Sequence, residues 1–302
     1  MTTKNGSALR ISEGTVPFKG YHTWYRRVGT CAPGKYPLLA LHGGPGVPHN
    51  YLRSLDALAE KGREVIYYDQ LGCGRSAAPS NPEMWSVDLY KEEIGVIREA
   101  LNLSKLHILG QSWGGMLAME YALTRPTGVL SMVIASSPAS MDLWVKEANR
   151  LMGDLPQEME GALRAGEASG VRDAPDYQAA SAEYYRRHVC MLEPYPDFVS
   201  ESFDNIGEPY GVMQGASEFV VTGKLKDWDI TDKLQTITIP TLLTSGVMDE
   251  ATPLIVKNIF DRIPRCEWEL LLGTHLVHVE LPEQYNRLVE DFLQRRERSE
   301  RI

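Results

Sequence analysis

The sequence predicts an α/β protein: a mostly parallel central sheet, helices on both faces, and a helical insertion over one edge. Short β-rich runs alternate with amphipathic helical stretches along most of the chain, the pattern left by strand–helix crossovers. Gly-containing turns follow several of the strand-like runs, as at Gly43, Gly110, Gly246 and Gly273. Between about Ser140 and Asp227 the chain becomes rich in Glu, Arg, Tyr and Met, with helical periodicity and no convincing buried strand.

The first strand expected is His22–Val28, as an antiparallel edge. Further strands are expected at Pro37–Leu41, Glu64–Asp69, Lys105–Leu109, Val129–Ala135, Thr241–Ser245 and Glu267–Leu272. Helices are expected over Ser86–Leu101, Trp113–Thr124, Pro253–Phe260 and Pro282–Gln294. In the first of these, Val87, Ile94, Ile97 and Leu101 recur near one face at helical spacing. Residues 1–139 and 228–302 are assigned to the core and 140–227 to a helical cap. Open α/β sheets bind ligands outside the carboxyl ends of their strands, which makes the insertion a lid. The alternative is a set of surface helices remote from any site.

The 302 residues are 43% hydrophobic and 24% charged, with a formal net charge of −9. That balance is ordinary for a soluble globular protein and disfavours nucleic acid or an anionic membrane as partner, since both require positive fields. Met1–Gly14 is polar, without the apolar core of a secretory signal. No apolar stretch approaches the roughly 20 residues that cross a bilayer. Cys31, Cys73, Cys190 and Cys266 are scattered and read as free thiols in a reducing cytoplasm. The histidines lack metal-ligand spacing, so neither metal nor cofactor is expected. Arg295, Arg296, Arg298 and Arg301, interleaved with Glu297 and Glu300, read as a solvated helix end.

Gly110-Gln111-Ser112-Trp113-Gly114 sets a serine in a G-x-S-x-G frame between a strand pattern and a helix pattern. Small residues on either side let the backbone bend sharply enough to present Ser112 outward as a nucleophile. A serine needs a base, and the base an orienting acid. Asp249 lies just past the strand Thr241–Ser245, and His275 just past Glu267–Leu272. Serine, aspartate and histidine in that order, each after its own strand, match the triad of an α/β-hydrolase fold. His278 competes for the role of base but lies further from the strand end. Taken singly, Asp249 could instead cap the next helix and His275 could be a loop histidine. The amides of Gly44, in the glycine-rich loop after the first central strand, and of Trp113 are the expected oxyanion donors. His42 is read as an anchor of that loop.

His42-Gly43-Gly44-Pro45-Gly46, Asp69-Gln70-Leu71-Gly72-Cys73-Gly74-Arg75-Ser76 and Gly110-Gln111-Ser112-Trp113-Gly114-Gly115 resemble the prolyl iminopeptidase family of α/β-hydrolases. The resemblance runs from about Tyr25 to Leu293. Gly215–Phe219 and Asp227–Thr231 are similar to the archaeal tricorn-interacting aminopeptidase branch, and the chain is also similar to bacterial amino-acid amidases of that branch. The resemblance implies release of an N-terminal residue, often proline, from a small peptide or amino-acid amide with a free N-terminus. Glu218 and Glu250 match positions that hold the α-amine, with Tyr210 a weaker third partner and Gly43 a further substrate contact. Thr274 departs from the Gly or Ser common before the histidine. Asp69 and Arg75 are left structural. Trp113 and Phe219 either wall an apolar pocket or belong to the core. The amidase reading stays open beside the peptidase, and a hydrolase-like binding module remains the non-enzymatic alternative. Oligomeric state is not legible.

Overall fold

The computed structural model describes residues 9–299. Most of the polar leader at Met1–Gly14 lies outside the described residues, as do Glu300 and Arg301. Eight strands form one sheet: β1 (Ile11–Phe18), β2 (Tyr21–Val28), β3 (Leu38–Leu41), β4 (Val65–Tyr68), β5 (Leu106–Gln111), β6 (Val129–Ala135), β7 (Thr241–Gly246) and β8 (Cys266–Leu271). The helices are α1 (Ala57–Glu60), α2 (Val87–Ala100), α3 (Trp113–Leu123), α4 (Met141–Gly153), α5 (Gln157–Ser169), α6 (Pro175–His188), α7 (Asp197–Phe203), α8 (Pro253–Phe260), α9 (Val277–Glu280) and α10 (Pro282–Ser299).

The strand order is β1-β2-β4-β3-β5-β6-β7-β8. β1 and β2 run antiparallel and β2 meets β4 antiparallel; every other pairing is parallel. Alternation along the central strands feeds two cores. Leu39, Leu41, Ile66 and Ile108 pack on one face, and Leu38, Ala40, Val65 and Leu109 on the other. Such strands read as continuous apolar runs because both faces are covered. β2 is not the edge that the sequence suggests, because β1 covers it. β1 carries no apolar run: four of its first five residues are exposed and it contains Gly14 and Pro17, composition that a sheet edge tolerates.

Helix starts follow their caps. The Ser86 side chain accepts from Leu89 N at 3.2 Å to open α2. Prolines begin α6 and α8, where the missing N–H would be unpaired in any case. Helices α4 to α7 all lie between β6 and β7. Leu151, Leu163, Tyr177, Tyr184 and Phe219 form a small core of their own there. Phe219 meets Tyr184 edge-on at 4.8 Å, so it is core within this segment rather than a pocket wall.

The last helix is tied into the body of the protein by charge. Fully buried Arg63 donates to Glu290 at 2.6 Å and to Glu297 at 2.8 Å, and Lys35 reaches Glu290 at 2.6 Å. Glu297 is therefore interior, contrary to the solvated helix end expected from the alternating Arg and Glu. Arg295 and Arg296 both pair with Glu267 instead. Burial alone would raise the Glu297 pKa; His107, Arg63 and the Tyr36 amide overcome this and lower it to about 2. Arg63→Ala strands two buried carboxylates, so a loss of about 3–5 kcal/mol is expected in denaturant titrations at neutral pH. With its folded pKa depressed, Glu297 contributes stability above its unfolded pKa and loses it as pH falls toward 2. The difference between wild type and variant therefore shrinks through the window below about pH 4.5.

Candidate active site

The chain winds from β3 outward to β4 and then crosses back to β5 on the other side of β3. The loops after β3 and β5 therefore diverge at a topological switch point, where such sheets form their ligand crevice. Ser112 stands there between β5 and α3 at φ 55° and ψ −123°. This sharp turn requires bare neighbours. A Cβ on Gly110 would lie 2.1 Å from Gly114 O, and one on Gly114 2.1 Å from Leu41 O. The N-terminus of α3 begins at the next residue, so its free amides and helix dipole point toward negative charge beside Ser112.

Asp249 follows β7 and is immobilised by Ala251 N at 2.7 Å and Gly246 N at 3.2 Å. Its Oδ1 lies 2.8 Å from His275 Nδ1, so Nε2 is the ring nitrogen that Asp249 does not engage. His275 follows β8 and is buried against the edge of Trp144. One carbonyl at the end of α6 couples these loops: His188 O accepts from Glu250 N at 3.2 Å and from His275 N at 3.0 Å. His278 does not join them. It is buried beside Ser54 at 2.9 Å, and burial, then the charge of His275, lower its pKa to about 3.

The loop after β3 is held from both sides. His42 Nδ1 donates to Gly43 O at 2.9 Å while its Nε2 accepts from Gln70 N at 2.9 Å. Burial lowers its pKa to about 4, which fixes this neutral form. Gly43 N donates to Tyr51 Oη at 2.7 Å, and Tyr51 donates to Gln111 Oε1 at 2.6 Å. Gln111 Nε2 reaches His275 O at 3.4 Å. Tyr51 and Gln111 thus brace the glycine loop, the serine turn and the histidine loop. Gln111 lies in the serine motif, whereas nothing in the local sequence singles out Tyr51. Gly43 lines the cavity, but its N–H is already engaged. The amides of Gly44 and Trp113 donate to no described residue and remain open to an oxyanion.

A cleft of about 710 Å³, its mouth included, is lined by Ser112, His275, Gly44, Trp113, Glu218, Glu250 and Tyr210 among apolar side chains such as Met141, Trp144 and Leu225. Tyr210 donates to Glu218, and Glu218 is also tethered through its backbone to Trp144 Nε1 at 3.2 Å. Glu250 is 4% exposed and its Oε2 has no partner among the described residues. Burial pushes both carboxyl groups upward; His275 opposes that for each. Burial would lower the His275 pKa, but Asp249 and Glu250 outweigh it, with help from the Asp249 hydrogen bond and Glu218, and raise it to about 9. Its Nε2 lies 3.6 Å from Glu250 Oε1. The Ser112 hydroxyl makes no hydrogen bond to the ring or to any other described residue. Among the described residues no Lys or Arg lines the cleft. Among the described residues no cluster of His, Cys, Asp or Glu is arranged to hold a metal ion, all four cysteines are free thiols, and no helix is long and apolar enough to cross a membrane.

An eight-stranded, mostly parallel sheet with a serine turn at its switch point and a His–Asp pair facing it defines the α/β hydrolase class, and residues 36–282 match the family described as alpha/beta hydrolase fold. The chain is 41% identical over 289 residues to the proline iminopeptidase of Clostridium botulinum, covering 94% of this chain and 99% of that protein. The crystal structure of proline iminopeptidase from Mycobacterium smegmatis superposes with a TM-score of 0.90 at 40% identity, covering 95% of this chain and 99% of that one. The crystal structure of VinJ does so with a TM-score of 0.90 at 38% identity, covering 94% and 98%. The chain belongs to the proline iminopeptidase family of α/β hydrolases and is a hydrolase enzyme.

Tyr51→Phe removes the acceptor of Gly43 N and the donor to Gln111 at once. Leaving buried polar groups unpaired costs about 1–3 kcal/mol, and the same change loosens the glycine loop. Lower thermal stability together with a reduced turnover number is expected; unchanged values for both would show that the brace is dispensable.

Proposed function

We propose that this enzyme releases an N-terminal amino acid, proline favoured, from short peptides or amides through an acyl-enzyme on Ser112. The observation that carries this reading is one cleft lined by an outward serine, by His275 paired with Asp249, and by Glu218 and Glu250, the latter with an unpartnered oxygen. His275 takes the Ser112 proton as the oxygen attacks the carbonyl of the first residue. Asp249 keeps the ring oriented and stabilises its cationic form, while the Gly44 and Trp113 amides hold the oxyanion. The ring then protonates the leaving amine and, in the second half, activates water.

Glu218 and Glu250 serve as the clamp for the substrate's α-ammonium, with the Tyr210 hydroxyl fixing Glu218. Charge-assisted bonds at that end set the distance to Ser112, so that only the first carbonyl reaches the nucleophile. Residues 140–227 act as the lid that brings Glu218 over the site, and 1–139 with 228–302 as the catalytic core. A second reading, an amino-acid amidase, is favoured by the absence of Lys and Arg from the lining. A peptide product's carboxylate finds no Lys or Arg there among the described residues, whereas an uncharged leaving group needs none.

Ser112→Ala is expected to reduce turnover about 10⁶-fold with folding intact by circular dichroism. Retained activity would remove Ser112 from the mechanism. Glu218→Gln weakens one charge-assisted interaction and is expected to cost about 10–100-fold in kcat/KM on free aminoacyl arylamides. N-acetylated counterparts should be slow with both enzymes; equal losses on free and blocked substrates would contradict the clamp. Comparing free dipeptides with prolyl and other amino-acid amides separates the two readings.

A further inference from the structure

His275 meets a carboxylate on each edge. Asp249 holds Nδ1 at 2.8 Å, and Glu250 Oε1 lies 3.6 Å from Nε2. Nε2 is the atom that must accept the Ser112 proton, yet that hydroxyl is unbonded to it in this structure. Glu218 adds a third carboxylate from the segment after α7. The other titratable neighbours bring no compensating cation. Tyr210 donates to Glu218, and Tyr184 and Tyr185 of α6 are held protonated by burial. His278 of α9 is held neutral, its pKa lowered first by burial. The pKa of His188, at the end of α6, is lowered by burial. With no Lys or Arg among the described residues of the lining, the imidazolium is the cation that Asp249 behind the ring and Glu250 and Glu218 in the cleft share. Its raised pKa, about 9, expresses this.

We propose that Glu250 holds the His275 ring away from Ser112 in the free enzyme, and that the substrate's ammonium group displaces it and thereby switches on the general base. The inference rests on the amine clamp proposed above and adds a specificity role for Glu250 in the chemical step. The ammonium brings one positive charge to Glu250 and Glu218, so the imidazolium is no longer needed to balance them. The Nε2–H bond breaks, its electron pair stays on the ring, and the proton passes to water. The lone pair left behind is then free to accept the Ser112 proton. A substrate without an amine leaves the ring protonated and paired, and so loses turnover as well as affinity.

The test is calorimetric titration of the Ser112→Ala protein with L-prolinamide at pH 7, in buffers that differ in ionisation enthalpy. Close to one proton released per ligand bound is expected, falling away as pH rises past 9, where the free ring is already neutral. Adding Glu250→Gln should abolish most of that release, and NMR of the His275 ring nitrogens should show the imidazole itself losing the proton; a ring whose protonation prolinamide leaves unchanged would contradict the coupling. Binding of prolinamide without proton release would overturn the coupling while leaving the clamp intact. Equal affinity for N-acetyl-L-prolinamide would overturn the clamp itself. Inactivation by an uncharged fluorophosphonate gives a second readout, with Ser112 present. Its rate should rise with a midpoint near pH 9 in the wild type, and at least about one unit lower in Glu250→Gln. Coincident profiles for the two proteins would contradict the proposal.

Discussion

Residue 112 must sit in a left-handed turn between a buried strand and a buried helix, and the rest of the site is arranged around that backbone constraint. With φ at 55°, a serine there carries strain of about 1–3 kcal/mol, which persists because β5 and α3 are locked into the core on both sides. Gly110 and Gly114 leave no volume for a side chain, so the turn is possible only with that pair of residues. In return, the hydroxyl projects at the switch point and the first amide of α3 lies beside it. Of the strands that bring Asp249 and His275 to the same rim, β7 pairs in parallel with β6 and β8 pairs in parallel with β7.

The second organising feature is electrostatic. Among the described residues no Lys or Arg lines the cleft, and Asp249, Glu250 and Glu218 surround one imidazole. A buried carboxylate oxygen without a partner, as at Glu250 Oε2, costs stability. In the proposed clamp, the substrate's ammonium group completes that pairing. The same charges act on the histidine, and under the proposal above recognition of the amine and the state of the base form one equilibrium. The His188 carbonyl, at the end of α6, links the Glu250 and His275 backbones and makes the overlying helices part of that arrangement.

The parallel strands were legible because both of their faces are buried, so their apolar runs are unbroken. β1 was not, since an exposed edge strand containing Gly14 and Pro17 looks like a polar leader. Glu297 was misread because alternating Arg and Glu suggests solvent, whereas its partner Arg63 lies 234 residues away. Motif and chain order were enough to nominate Ser112, Asp249 and His275, and the structure brings His275, paired with Asp249, to the cleft that Ser112 lines. The approach of Glu250 to Nε2 and the bracing of Gly43 by Tyr51 depend on distances between segments apart in sequence. No local pattern reports such distances. Phe219 shows the converse, an aromatic near a site residue that packs into a separate small core.

The most direct measurement of the central claim is mass-spectrometric mapping after labelling with a fluorophosphonate. A single adduct on Ser112, formed by the wild type and nearly absent from the His275→Ala variant, is the result this account requires. Modification at another residue, or labelling of Ser112 that proceeds equally well without the imidazole, would contradict it.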